Sequence, residues 1–131
     1  MAATHLTKQS FLDKVFDYEN NSEWTFKGDK PCIIDFYADW CGPCKSIKSL
    51  VEEKTKNLPA NVQYYEIDVD ENIDLFSFFK SKKMCKGIPA LFAFKKGNLT
   101  FVPDHSVIGA DIDEITKLFD LILTNAIQES N

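Results

Sequence analysis

The sequence predicts an α/β fold, a central mixed sheet of four to five strands with helices on both faces. Three observations carry that expectation. "CIIDFYA" (Cys32 to Ala38) is apolar on both of its faces, as a central parallel strand is. Segments with apolar residues at helical spacing alternate with strand-like runs, the pattern of parallel crossovers. Toward the C-terminus, "ALFAF" and "LTFV" flank "KKGN" (Lys95 to Asn98), which reads as an antiparallel hairpin.

Taken in order, a short first strand is placed around Thr4 to Leu6. A helix begins at Thr7, where Phe11, Leu12, Val15 and Phe16 recur on one face. The polar stretch "ENNSEWTFKGDKP" interrupts the chain, with Gly28 and Pro31 as punctuation. The central strand follows. A second helix runs from about Gly42 into the fifties, with Ile47, Leu50 and Val51 inward, and Pro59 and Asn61 mark its end. "VQYYEIDV" (Val62 to Val69) is a strand rich in β-branched and aromatic residues. "NIDLFSFFKSKK" is a shorter helix with Ile73, Phe76 and Phe79 spaced by threes. After the hairpin, a last helix opens near Asp111 and turns Ile112, Ile115, Leu118, Phe119 and Ile122 inward. No repeat or linker divides the chain, so residues 1–131 are expected to form a single domain.

At 131 residues and 44% hydrophobic, with eleven phenylalanines, the chain can build a core without disulfide staples. The net charge of -5 is spread over interspersed acids and bases, and no basic face suggests a nucleic-acid partner. The longest apolar runs are far too short to span a membrane. "MAATHLTKQS" has neither a basic nor an apolar leader region, so a cytoplasmic location is expected. A monomer is expected as well.

Four cysteines are too sparse for a disulfide scaffold, and only Cys41 and Cys44 form a close pair. A C-x-x-C at a strand-to-helix junction has a physical consequence. Cys41 falls just before the helix, where unpaired N–H groups and the positive end of the dipole favour a thiolate. Cys44 lies one turn on, within reach for a disulfide and shielded by the helix. Cys41 is then the attacking sulfur and Cys44 the resolving one. Pro43 suits the first turn, and Gly42 leaves room for a partner chain. Asp35, six residues upstream of the pair, is a costly residue for a central strand. A carboxylate in low dielectric has a raised pKa and can accept the proton that Cys44 must lose, which gives its burial a purpose.

"FYADWCGPCK" closely resembles the active-site segment of the thioredoxin family, including Trp40 and the upstream aspartate. "HLTKQSF" is similar to that family's first strand and helix, "YEIDVDEN" to its third strand, "KGIPALFAFKKGN" to its cis-proline segment, and "VIGAD" to its glycine turn. The resemblance spans nearly the whole chain and implies the thioredoxin fold and dithiol–disulfide exchange. It carries the roles of Cys41, Cys44 and Asp35 over by position. It also implies that Trp40, Gly42, Pro43, Ile88, cis-Pro89 and Gly109 line the surface that docks substrates, with Ile88 and Pro89 offering backbone groups to an extended segment. No cofactor is implied beyond the redox pair itself. Electrons are expected to come from NADPH through a thioredoxin reductase, and disulfide-containing proteins are the expected substrates.

Some positions depart from the family pattern. Surplus residues fall in "FFKSKKMCK" and in "TFVPDHSV". Ser49 takes the place of a helix-kinking proline, and Glu66 that of a lysine near the aspartate, with Lys48 as a candidate compensating charge. The competing readings are an isomerase or oxidase of the same fold, and a non-catalytic binding module. Gly-Pro between the cysteines favours a reductant. A zinc site lacks a second knuckle, so no metal is expected. Cys32 reads as a core residue, and Cys85 as core first and oxidisable thiol second. Trp24 and the histidines read as structural, and Lys80, Lys82, Lys83 and Lys86 as a solvated face.

Overall fold

The computed structural model describes residues 4–20 and 24–130. Among these, the elements run β1 (Thr4–His5), α1 (Lys8–Lys14), β2 (Cys32–Tyr37), α2 (Gly42–Lys56), β3 (Gln63–Asp68), α3 (Ile73–Ser81), β4 (Ala90–Phe94), β5 (His105–Ile108) and α4 (Ile112–Ser130). The sheet order is β1-β3-β2-β4-β5. β1 and β2 lie parallel to β3, whereas β4 is antiparallel to both β2 and β5. This is the mixed sheet expected from the sequence. The interrupting polar stretch includes residues 21–23, which lie outside the described residues.

Strand alternation sorts the core into two clusters. Cys32, Ile34 and Phe36 join Phe11, Phe16, Leu75 and Phe79 on the face covered by α1 and α3. Ile33 and Tyr64 join Ile47, Val51, Ile115 and Phe119 on the face covered by α2 and α4. β4, apolar throughout, is buried on both faces. α1 starts at a reciprocal cap in which Thr7 and Ser10 each bond the other's backbone N–H. It ends sooner than the periodicity implies, with Val15 as its C-cap.

Three expectations need correction. The second hairpin strand is His105–Ile108, not Leu99 to Val102. Residues 95–104 instead form a loop held by side chains: Asp104 Oδ2 accepts from the Lys95 N–H at 2.7 Å and from Asn98 Nδ2 at 2.9 Å. That closure sets Val107 opposite Leu91 within the α2/α4 cluster, which Leu99 pairing would not. In α3 the inward residues are Leu75 and Phe79, while Ile73 is exposed in the first turn. In α4, Ile112 is likewise exposed, and the inward row starts at Ile115. A terminal-turn residue can match the apolar period and still lie beyond the edge of the sheet.

Candidate active site

β2 delivers the site. It is buried except at Asp35 and Tyr37, so the central strand is not sealed at its C-terminal half as the sequence suggested. Asp35 borders a cavity of about 430 Å³ together with Cys44, Lys48, Glu66 and Pro89. After β2 the chain turns through Ala38, whose carbonyl accepts from the Cys41 N–H at 3.1 Å. Trp40, 67% exposed, is tethered by its indole N–H donating to Asp70 Oδ2 at 2.8 Å.

Cys41 is the N-cap of α2, with extended backbone and Pro43 in the first turn behind it. Its Sγ accepts from the Cys44 N–H at 3.1 Å, so one of the helix's free donors is aimed at that sulfur. Cys41 and Cys44 are joined as a disulfide with Cα atoms 5.2 Å apart, inside the ordinary range for such bonds. Their burial reverses the order expected from helix position. Cys41 is 3% exposed and packed in the α1/α3 cluster, while Cys44 is half-buried and lines the cavity.

Asp35 is held from one side only. Tyr64 donates its hydroxyl to Asp35 Oδ2 at 2.9 Å, and Oδ1 is occluded without a partner among the described residues. Burial raises the carboxyl to about 7; the Tyr64 bond opposes the shift and the neighbouring Glu66 charge adds to it. Glu66 lies beside Asp35 in register and pairs with His5 Nε2 at 3.5 Å. Lys48 reaches the same cavity, but the interactions that act on Asp35 come from Tyr64 and Glu66.

The remaining expected surface residues gather at one end of the sheet. The Ile88–Pro89 bond is cis, and the Gly109 N–H donates to the Pro89 carbonyl at 2.8 Å. Gly109 has φ +96°, which accounts for glycine there. Gly42 and Pro43 are exposed, and a Cβ at Gly42 would meet nothing within 4 Å, so no internal contact demands glycine. Pro89 is buried and Ile88 half-buried.

The other two cysteines lie in the core. Cys85 is 1% exposed, its thiol donates to the Gly87 carbonyl at 3.1 Å, and burial pushes it up to about 11. Cys32 is equally buried and shifted well above the ordinary thiol range by desolvation. Neither has the exposed, low-pKa character of a redox sensor. Of the lysine run, Lys82 lies 5.0 Å over the Trp24 ring and Lys80 5.5 Å over Phe76, so this exposed face also covers aromatic surface.

Sequence reading missed Tyr64 and Asp70. Asp70 was visible only as part of the acidic run after β3. Tyr64 was legible only in hindsight of register, because it must be two positions before Glu66 on a strand parallel to β2.

A sequence model of the family Thioredoxin matches residues 4–120. The thioredoxin of Borreliella burgdorferi is 47% identical over 75 residues, 57% of this chain and 64% of that protein. The Rickettsia bellii thioredoxin is 32% identical over 95 residues, covering 72% of this chain and 77% of its own. Thioredoxin-2, mitochondrial, of Schizosaccharomyces pombe is 32% identical over 114 residues, 86% of this chain and 79% of its own. Among solved structures, the Malassezia sympodialis thioredoxin superposes with a TM-score of 0.64 at 28% identity, covering 92% of this chain and 90% of that one.

Proposed function

Because this chain belongs to the thioredoxin family, we propose that it reduces disulfides in proteins by dithiol–disulfide exchange through Cys41 and Cys44. The observation that carries the reading is the bonded Cys41–Cys44 pair at the N-terminus of α2, with the Cys44 N–H donated to Cys41 Sγ. In the reduced protein that donor and the helix dipole favour the Cys41 thiolate.

The Cys41 thiolate attacks one sulfur of the substrate disulfide, whose S–S bond breaks. One substrate sulfur leaves as a thiolate and takes a proton from solvent, and the other stays bonded to Cys41. Cys44 gives its proton to Asp35 and attacks Cys41 Sγ, so the Cys41–Cys44 bond forms as the mixed disulfide breaks. Two electrons pass from the pair to the substrate. A thioredoxin reductase drawing on NADPH returns them by the same exchange in reverse, in a reducing compartment such as the cytoplasm.

Trp40, Gly42, Pro43, Ile88, Pro89 and Gly109 form the docking surface in this reading. The exposed Trp40 ring and the open space at Gly42 support it, and Ile88 offers backbone groups to an extended substrate segment.

Turbidity-monitored reduction of insulin by dithiothreitol tests the reading. The wild type accelerates it, and Cys41→Ser abolishes the acceleration. Equal rates with and without Cys41 would overturn the assignment. A reduction potential near -270 mV is expected, while one of about -180 mV would instead assign the chain to disulfide isomerisation.

A further inference from the structure

On the roles just given to Cys44 and Asp35, we propose that Tyr64 is a positioning residue of the resolving step: its hydroxyl holds Asp35 Oδ2, leaving Oδ1 as the oxygen that receives the Cys44 proton.

The geometry is specific to a long polar side chain. In the β2–β3 register Asp35 sits beside Glu66, and Tyr64 sits beside Ile33, so Tyr64 is the diagonal neighbour of Asp35. At that diagonal the Cα atoms are roughly 7–8 Å apart, a gap that a tyrosine spans and a β-branched residue does not. The Tyr64 ring is 1% exposed and packed in the α2/α4 cluster, which fixes its hydroxyl in place. The donated bond is 2.9 Å, and the second carboxyl oxygen is occluded without a partner among the described residues. A buried acceptor left open is costly and calls for a use.

The charges facing Asp35 make the donor consequential. From β3, Glu66 repels the carboxylate, and His5 of β1 lies with its Nε2 3.5 Å from Glu66 Oε2. From α2, Cys44, Lys45, Lys48 and Glu52 border the cavity, and Asp39 does so from the turn after β2. From β4, the residue in register is the apolar Leu91. Tyr64 is therefore the donor that offsets burial and Glu66. Its phenol is pushed far above the ordinary tyrosine range by burial and by Asp35, so it stays a donor throughout the working pH range and is not itself the shuttle.

The substitution Tyr64→Phe keeps the ring and removes the donor. A hydrogen bond to a charged acceptor is worth enough to move a pKa by about one unit, and its loss moves a carboxyl upward. In carboxyl-carbon NMR of the oxidised protein, the Asp35 midpoint is expected to rise by about one pH unit in Tyr64→Phe. Single-turnover release of a cysteine peptide from its mixed disulfide with Cys41 should shift its pH midpoint by the same amount. At pH 7 the release slows about fivefold, and above pH 9 the rates converge. On an Asp35→Asn background, Tyr64→Phe should add nothing.

An unmoved Asp35 midpoint overturns the proposal. So does a Tyr64→Phe effect on release that persists without Asp35. If Asp35→Asn leaves the release profile of the wild type unchanged, the role of Asp35 fails and that of Tyr64 fails with it. That outcome is distinct from loss of the overall function, which the Cys41→Ser assay reads separately.

Discussion

Asp35 has two oxygens with different surroundings, and its raised carboxyl couples the stability of the fold to pH. In the folded chain the carboxyl keeps its proton up to about pH 7, whereas in the unfolded chain it releases it near 3.8. Between those values the folded state binds more protons, so stability falls as pH rises through the window and levels off above it. Asparagine fills the same space, can still accept from Tyr64, and does not ionise. Urea unfolding should therefore find Asp35→Asn nearly neutral at pH 4 and stabilising by up to about 4 kcal/mol at pH 8. A gain of equal size at both pH values would show that packing, not ionisation, is responsible. Asp35 stood out in the sequence because a carboxylate in an apolar strand ahead of a thiol pair is locally anomalous. Its partner did not, since Tyr64 lies 29 residues away and reads locally as an ordinary strand aromatic.

At the scale of elements, the helices and the parallel strands β2 and β3 were legible because each repeats its own period over six residues or more. The β4–β5 connection was not, since "LTFV" has strand composition while the residues that close the loop, Asn98 and Asp104, are isolated polar ones. Phe101 shows what the loop is for. Its ring lies 5.8 Å from Phe16 and 5.2 Å from Trp24, whereas Leu99 is 77% exposed. The Phe26 N–H also reaches across to the Thr100 carbonyl at 2.9 Å. Phe101→Ala should thus cost about 2 kcal/mol in chemical denaturation, and Leu99→Ala should stay within about 0.5 kcal/mol. Comparable costs for the two would restore a strand-like role to Leu99. α3 makes a related point: it ends with Lys83 at φ 60°, where the N–H groups of Lys83 and Met84 return to the carbonyls of Lys80 and Phe79. Part of the "FFKSKKMCK" stretch, where the sequence places surplus residues, thereby forms the end of a helix.

Across the whole molecule, Phe79 joins the layers. Its ring centroid lies between 5.2 and 6.1 Å from those of Phe11, Phe16, Phe36, Phe78 and Phe92, drawn from α1, its neighbouring chain, the sheet and α3 itself. Phe79→Ala should lower the unfolding free energy by about 3–5 kcal/mol in a single cooperative transition. Separate unfolding of α1 and α3 would contradict that role. The sequence by itself determined the fold class, the Cys41–Cys44 chemistry and the placement of a carboxylate in the strand that leads to it, because period, adjacency and residue type act over a few neighbours. Only the tertiary structure decided which hydroxyl holds Asp35, which cysteine lies deeper and where β5 begins. Those depend on cross-strand register and on packing between distant segments, and no local pattern encodes either.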